Sequence, residues 1–171
     1  MGKGIKGIGF LVSCFTHHLS YVTIPLDMEN QKTLRIIDAN LNRLGEGLRV
    51  LEEVSRFILN DTALTQQLKN LRHELVRLDI GLDRRLVGAR DSEGDVGIDL
   101  EVPGEHREKG LVRLVVANSR RAQESLRVLE EVAKLPETNL DTEKFKHARF
   151  TLYTIEKDLL AKLTELLEGK K

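Results

Sequence analysis

The chain has 171 residues, 40% of them hydrophobic and 32% charged, and its 27 basic and 27 acidic residues cancel to a formal net charge of +0. That is enough apolar sequence for one core, and the charge balance excludes both the basic field of a nucleic-acid binder and an acidic solvating tail. A single cysteine, Cys14, excludes an internal disulfide and an all-thiolate metal site and suits a reducing, cytoplasmic setting, while the absence of Trp and 4% aromatic residues argue against a stacking platform for single strands.

Residues 1–27 differ from the rest of the chain. Lys3 and Lys6 precede a nearly uncharged stretch, but the apolar run Ile8 to Phe15 is broken by Ser13 and Cys14 and is too short to span a bilayer. Two readings stand: an upstream start codon with the protein proper beginning at Met28, or an extended arm that packs on the body or on a partner. From Leu34 the period is helical. Ile37, Leu41, Leu44, Leu48, Leu51 and Ile58 step by threes and fours, and Leu64, Leu68, Leu71, Leu75, Leu78 and Leu82 predict a second continuous helix. Asn60-Asp61-Thr62 supplies the turn between them, with Asp61 or Thr62 as N-cap. The later half repeats the plan, from Leu114 to about Leu135, then a break at Pro136 ending in Asp141-Thr142, then a helix over roughly Glu143 to Leu167.

The halves are copies. At an offset of 78 residues Ala39, Asn40, Arg43 and Glu46 match Ala117, Asn118, Arg121 and Glu124, and Leu48 to Val54 matches Leu126 to Val132 throughout. At an offset of 77, Lys69, Arg72 and Leu75 match Lys146, Arg149 and Leu152. A lone hairpin would leave an apolar stripe bare. The expected fold is therefore all-α, a duplicated helical hairpin forming an antiparallel four-helix bundle with pseudo-two-fold symmetry. One domain covers 28–171, with repeats over about 34–86 and 112–167 joined by a long central loop, 87–111.

Asn40 and Arg43, and their copies Asn118 and Arg121, open a stripe that turns apolar further along. They either cap and bridge, with Glu46 and Glu124 three residues on, or present planar donors to phosphate, with Gly47 or Ser125 leaving room for a ligand near the backbone. Arg49 with Glu52 and Glu53, and Arg127 with Glu130 and Glu131, read as a solvent-facing charge ladder. Between the hairpins, Gly88 to Gly110 holds five glycines, a proline and an acidic cluster. Such a segment is either a solvated linker or functional. Asp91, Glu93 and Asp95 could offer oxygens to Mg²⁺ beside a phosphate that Arg90 also binds. No Walker A loop, dinucleotide fingerprint, nucleophile elbow or histidine ligand spacing occurs.

The run RIIDANLNRLGEGLRVLEEVSRFILND, the loop ARDSEGDVG, the second repeat VVANSRRAQESLRVLEEVAK and the closing FKHARFTLYTIEK resemble the all-helical domain found alone or fused ahead of thiamine-phosphate synthase, over about Leu34 to Lys157. That family is similar to the monofunctional hydroxymethylpyrimidine phosphate kinases of thiamin biosynthesis. The resemblance implies ATP-dependent phosphorylation of a pyrimidine phosphate to its diphosphate, with Mg²⁺, and no synthase activity in a chain that stops near Lys171. Residue chemistry then suggests Arg43, Arg121 and Arg90 as catalytic cations, Asp91 and Asp95 as metal ligands, and Asn40, Asn118, Glu46, Glu124, Arg72 and Arg149 as substrate contacts, one repeat holding donor phosphates and the other the acceptor. Expected partners are ATP and the pyrimidine phosphate, with neither nucleic acid nor membrane; a homodimer is compatible. The rival expectation is a non-catalytic dimerisation or docking module for thiamine-phosphate synthase.

Overall fold

A computed structural model describes residues 26–77, 80–97, 99–100 and 110–169. Among them are five α-helices and no strand: α1 (Leu26–Phe57), α2 (Thr62–Val76), α3 (Ile80–Gly88), α4 (Leu111–Val132) and α5 (Thr142–Glu168). Nearly all of the extension 1–27 lies outside the described residues. Helix α1 starts at Leu26, ahead of the Leu34 expected from periodicity and of Met28.

The caps follow local chemistry. Asp61 accepts a hydrogen bond from Leu64 N at 2.9 Å and so caps α2, and Asp141 accepts from Glu143 N and Lys144 N to cap α5. Asn60 and Asn139, at φ 52° and 51°, take the left-handed turn before each of these caps, a conformation that Asn tolerates better than most residues. The expected leucine stripes are the core: Leu44, Leu48, Leu51, Leu68, Leu126, Leu129, Leu152, Leu159 and Leu163 are fully enclosed.

The second helix departs from expectation. It ends at Val76, Arg77 is extended, and α3 follows as a separate element. After the break α3 packs against α1, and Leu86 is buried. The described structure thus has one helix more than the four expected.

The largest helix contact is α1 on α4; α1 also packs on α2, and α4 on α5. Cross-links fix the pairing direction. Arg72 reaches Glu52 and the Val76 side chain lies against Gly45, while Arg149 reaches Glu130 and Gln123 bonds Glu156, so each hairpin is antiparallel. Lys144 bonds the Glu74 carbonyl and Lys162 bonds the Asp61 carboxylate, which sets α2 antiparallel to α5.

Gly47 was expected to leave room for a ligand. That room is occupied by α4: a Cβ at Gly47 would stand 2.9 Å from the Asn118 carbonyl oxygen and 3.2 Å from the Ala122 Cβ. Ser125, its copy, is buried as well. At Gly45 a Cβ would meet only Val76 methyls at ordinary contact distance, 3.5 Å. The two glycines should therefore respond oppositely to alanine. Gly45→Ala is expected to raise stability by about 0.5–1 kcal/mol through helix propensity, and Gly47→Ala to lower it by about 1–3 kcal/mol through overpacking. Urea unfolding of both variants checks this, and equal responses would contradict the close α1–α4 approach.

Candidate functional site

Two kinds of charged group emerge, those that tie helices together and those that face a cleft. Glu52 and Glu130, expected in a solvent-facing ladder, are instead buried; their partners Arg49 and Arg127 do lie outside. Each glutamate receives an arginine from the next helix, Arg72 Nε at 2.8 Å from Glu52 and Arg149 Nη2 at 2.8 Å from Glu130. A carboxylate between two helices needs such a counter-charge, because an unpaired one would carry the full desolvation cost. Burial pushes the Glu130 carboxyl up, but the Arg149 hydrogen bond and the charges of Arg149, Arg127 and Lys134 outweigh it, and the net shift is downward. The Tyr153 hydroxyl and then Glu130 hold Arg149 above its ordinary value.

Asn40 and Asn118 share a second arrangement. Both are buried within the helix pair, and each Nδ2 donates to the carbonyl four residues earlier, Ile36 O and Leu114 O, at 2.8 Å. They neither cap other helices nor bridge to Glu46 or Glu124. Arg43 and Arg121 are exposed and have no ion pair among the described residues.

The interhelical loop is not a free linker at its start. Arg90 donates through Nε and Nη2 to the two oxygens of Asp38, at 2.7 and 2.9 Å, and Arg35 donates to the Asp91 side chain at 3.3 Å and to its carbonyl at 2.9 Å. The pairs are crossed. An Arg and an Asp three residues apart on α1 meet an Arg-Asp dipeptide on the loop, and the Asp38 hydrogen bonds raise the pKa of Arg90. Asp91 also accepts from Gly94 N and Asp95 from Gly97 N, which folds the loop into successive turns.

This docking encloses a cleft of roughly 510 Å³, lined on α1 by Lys32, Arg35, Ile36, Asp38, Ala39, Asn40 and Arg43 and on the loop by Arg90, Asp91, Ser92 and Asp95. Five residues singled out from sequence, Asn40, Arg43, Arg90, Asp91 and Asp95, thus share one cavity, and no residue of α4 lines it. Residues 35–158 of the chain, which hold every residue named in the cleft except Lys32, match a known family model, described as the ThiD2 family.

The chain belongs to the ThiD2 family. Curated relatives are thiamine-phosphate synthases: that of Rhodopirellula baltica is 40% identical over 139 residues, covering 81% of this chain and 37% of the relative. Those of Nostoc punctiforme, 41% over 130 residues, and Thermosynechococcus vestitus, 42% over 131, cover 76% and 77% of this chain and 36% of themselves. The ThiD2 chain therefore spans little more than a third of the length of these relatives. No solved structure matches it.

Of the other sequence-derived candidates, Glu124 and Arg149 line a smaller hollow of roughly 260 Å³ with Arg120, Gln123, Arg127 and Tyr153, and Arg72 is held by Glu52. Sequence reading missed Lys32, Arg35 and Asp38; the only signal was an Arg-x-x-Asp spacing ahead of Asn40, complementary in sign to Arg90-Asp91. Among the described residues no three His, Cys, Asp or Glu side chains could hold a metal ion, and no helix is long and apolar enough to cross a membrane. Asp91 and Asp95 alone would not hold Mg²⁺ firmly, but two carboxylates suit an ion that arrives on substrate phosphates.

Because the Glu130 pKa is depressed in the folded protein, its contribution to stability is present above the ordinary glutamate value and is lost as pH falls through the lowered one. Glu130→Gln should accordingly lower stability at pH 7 and reduce the acid-side loss seen in wild type. Urea midpoints from pH 3 to 7 test this, and parallel curves for the two proteins would contradict the pairing.

Proposed function

We propose that this ThiD2 protein acts in thiamin biosynthesis by transferring the γ-phosphoryl group of ATP to hydroxymethylpyrimidine phosphate, giving the diphosphate and ADP. The observation that carries the reading is the single cleft in which Asn40 and Arg43 of the first repeat meet Arg90, Asp91 and Asp95 of the docked loop. Moving a phosphoryl group onto a phosphate gathers several negative charges, and such a site must supply cations already oriented.

An oxygen of the acceptor monoester, ionised at neutral pH, attacks the γ-phosphorus; the bond from that phosphorus to the bridging oxygen breaks, and its electron pair leaves on the β-phosphate of ADP. An ionised acceptor makes a dedicated general base unnecessary. Mg²⁺ bound to the nucleotide would neutralise charge as it develops, held from the protein side by Asp91 and Asp95. Arg43 binds phosphate oxygens. Asn40, with its amide nitrogen committed to Ile36 O, keeps its carbonyl oxygen as an acceptor for the amino group of the pyrimidine. Arg35 and Asp38 position the loop.

We read the α1/α2 and α4/α5 hairpins as repeats about a pseudo-two-fold axis, a view supported by the matched Asn40 and Asn118 bonds and the matched Glu52–Arg72 and Glu130–Arg149 pairs. A second functional reading is docking onto thiamine-phosphate synthase. It is favoured by Phe150, 56% exposed, packed edge-to-face on Tyr153, 41% exposed, with the Arg149 guanidinium near both rings; aromatic residues with arginine are common interface anchors.

A coupled assay of the full chain with ATP, Mg²⁺ and hydroxymethylpyrimidine phosphate decides between the readings. Formation of ADP and the pyrimidine diphosphate, lost in a folded Asp91→Ala, Asp95→Ala double variant, is the expected result. No turnover, together with tight binding to thiamine-phosphate synthase, would replace the kinase by the docking module.

A further inference from the structure

We infer that the cleft is polar end to end, with Lys32 serving the metal-nucleotide and Arg43 the pyrimidine phosphate. This polarity rests on the phosphoryl-transfer reading and gives it a direction.

Four cations line the cleft, and two are already committed. Arg90 is spanned by Asp38, and Arg35 is bound to Asp91. Lys32 and Arg43 are the cleft cations without an ion pair among the described residues, and both are exposed. A guanidinium held by a carboxylate offers little to an incoming phosphate until that carboxylate is displaced. The two unpaired cations are therefore the first available to anionic groups.

Their placement on α1 separates them. Eleven residues amount to three turns and about 20° of rotation, so Lys32 and Arg43 stand on one face about 16 Å apart along the axis. Ile36, Ala39 and Asn40 lie between them on the same wall. Ile36 is 46% exposed, and with Ala39 it forms a low apolar floor for a flat ring.

The crossed ion pairs give the ends their identities. Arg90 is paired with Asp38, and Asp91 with Arg35, one turn closer to Lys32. Arg90 is thereby on the Arg43 side, whereas Asp91 heads toward Lys32. Asp91, one of the two carboxylates suited to a phosphate-borne Mg²⁺, thus lies toward the lysine, whose compact ammonium tolerates the shifting geometry of a polyphosphate. Arg43 stands one turn from Asn40, and a planar guanidinium beside an amide suits a phosphate attached to an aminopyrimidine.

Calorimetric titration of the 171-residue chain separates the ends without turnover. Wild type, Lys32→Ala, Lys32→Arg and Arg43→Ala are each titrated with Mg²⁺ and a non-hydrolysable ATP analogue, and separately with hydroxymethylpyrimidine phosphate. Loss of one charge-assisted contact should weaken the affected ligand about tenfold. Lys32→Ala should do so for the nucleotide while changing pyrimidine phosphate affinity less than about twofold, Lys32→Arg should recover most of the loss, and Arg43→Ala should show the opposite selectivity. Equal weakening of both ligands by both variants, or no effect of Lys32→Ala, would overturn the polarity while leaving the kinase reading in place. A wild-type protein that binds neither ligand would overturn both.

Discussion

Gly47 lets α1 lie directly against the backbone of α4, and the remaining helices are arranged around that contact. With the Asn118 carbonyl where a side chain would stand, the pair cannot separate without opening the core lined by Leu44, Leu48, Leu126 and Leu129. Helices α2 and α5 then close the apolar side, each tied back by an arginine to a buried glutamate. The first half of α1 is left with a polar stripe that neither α2 nor α4 covers, and there the interhelical loop docks.

Charge is sorted by this geometry. Arginines that reach buried carboxylates, Arg72 and Arg149, hold helices at fixed separation, and Arg35 and Arg90, paired with the exposed Asp91 and the half-buried Asp38, hold the loop. Of the four cations that line the cleft, Lys32 and Arg43 are the two without an ion pair among the described residues. A net-neutral chain can in this way present a local site for anions, because pairing elsewhere removes the competing charge from play. Asp61 shows the same economy at the far end: the Lys162 hydrogen bond, then the Leu64 amide, hold its carboxyl below the ordinary range while it caps α2.

Periodicity made the leucine core, both hairpins and the Asp61 cap legible, since each depends on spacing within one helix. The repeat exposed Asn40 and Arg43 as unusual polar residues, and the loop composition exposed Arg90, Asp91 and Asp95. What was not legible depended on contacts between distant segments. The burial of Glu52 and Glu130 follows from where Arg72 and Arg149 land, and a charge at every third or fourth position looks the same whether it faces water or another helix. The end of α2 at Val76 leaves no Gly or Pro mark in the sequence, because the gain lies in Leu86 reaching the core. Arg35 and Asp38 were missed because only the docked loop gives them a partner.

Amide spectra of the ¹⁵N-labelled protein, titrated with hydroxymethylpyrimidine phosphate in the presence of Mg²⁺ and a non-hydrolysable nucleotide, test most directly whether the α1–loop cleft is the working site. If ligands bind there, the largest shifts fall in residues 32–43 and 90–95, with α5 little changed. Shifts concentrated at Phe150 and Tyr153, or none in the cleft at saturating ligand, would contradict it.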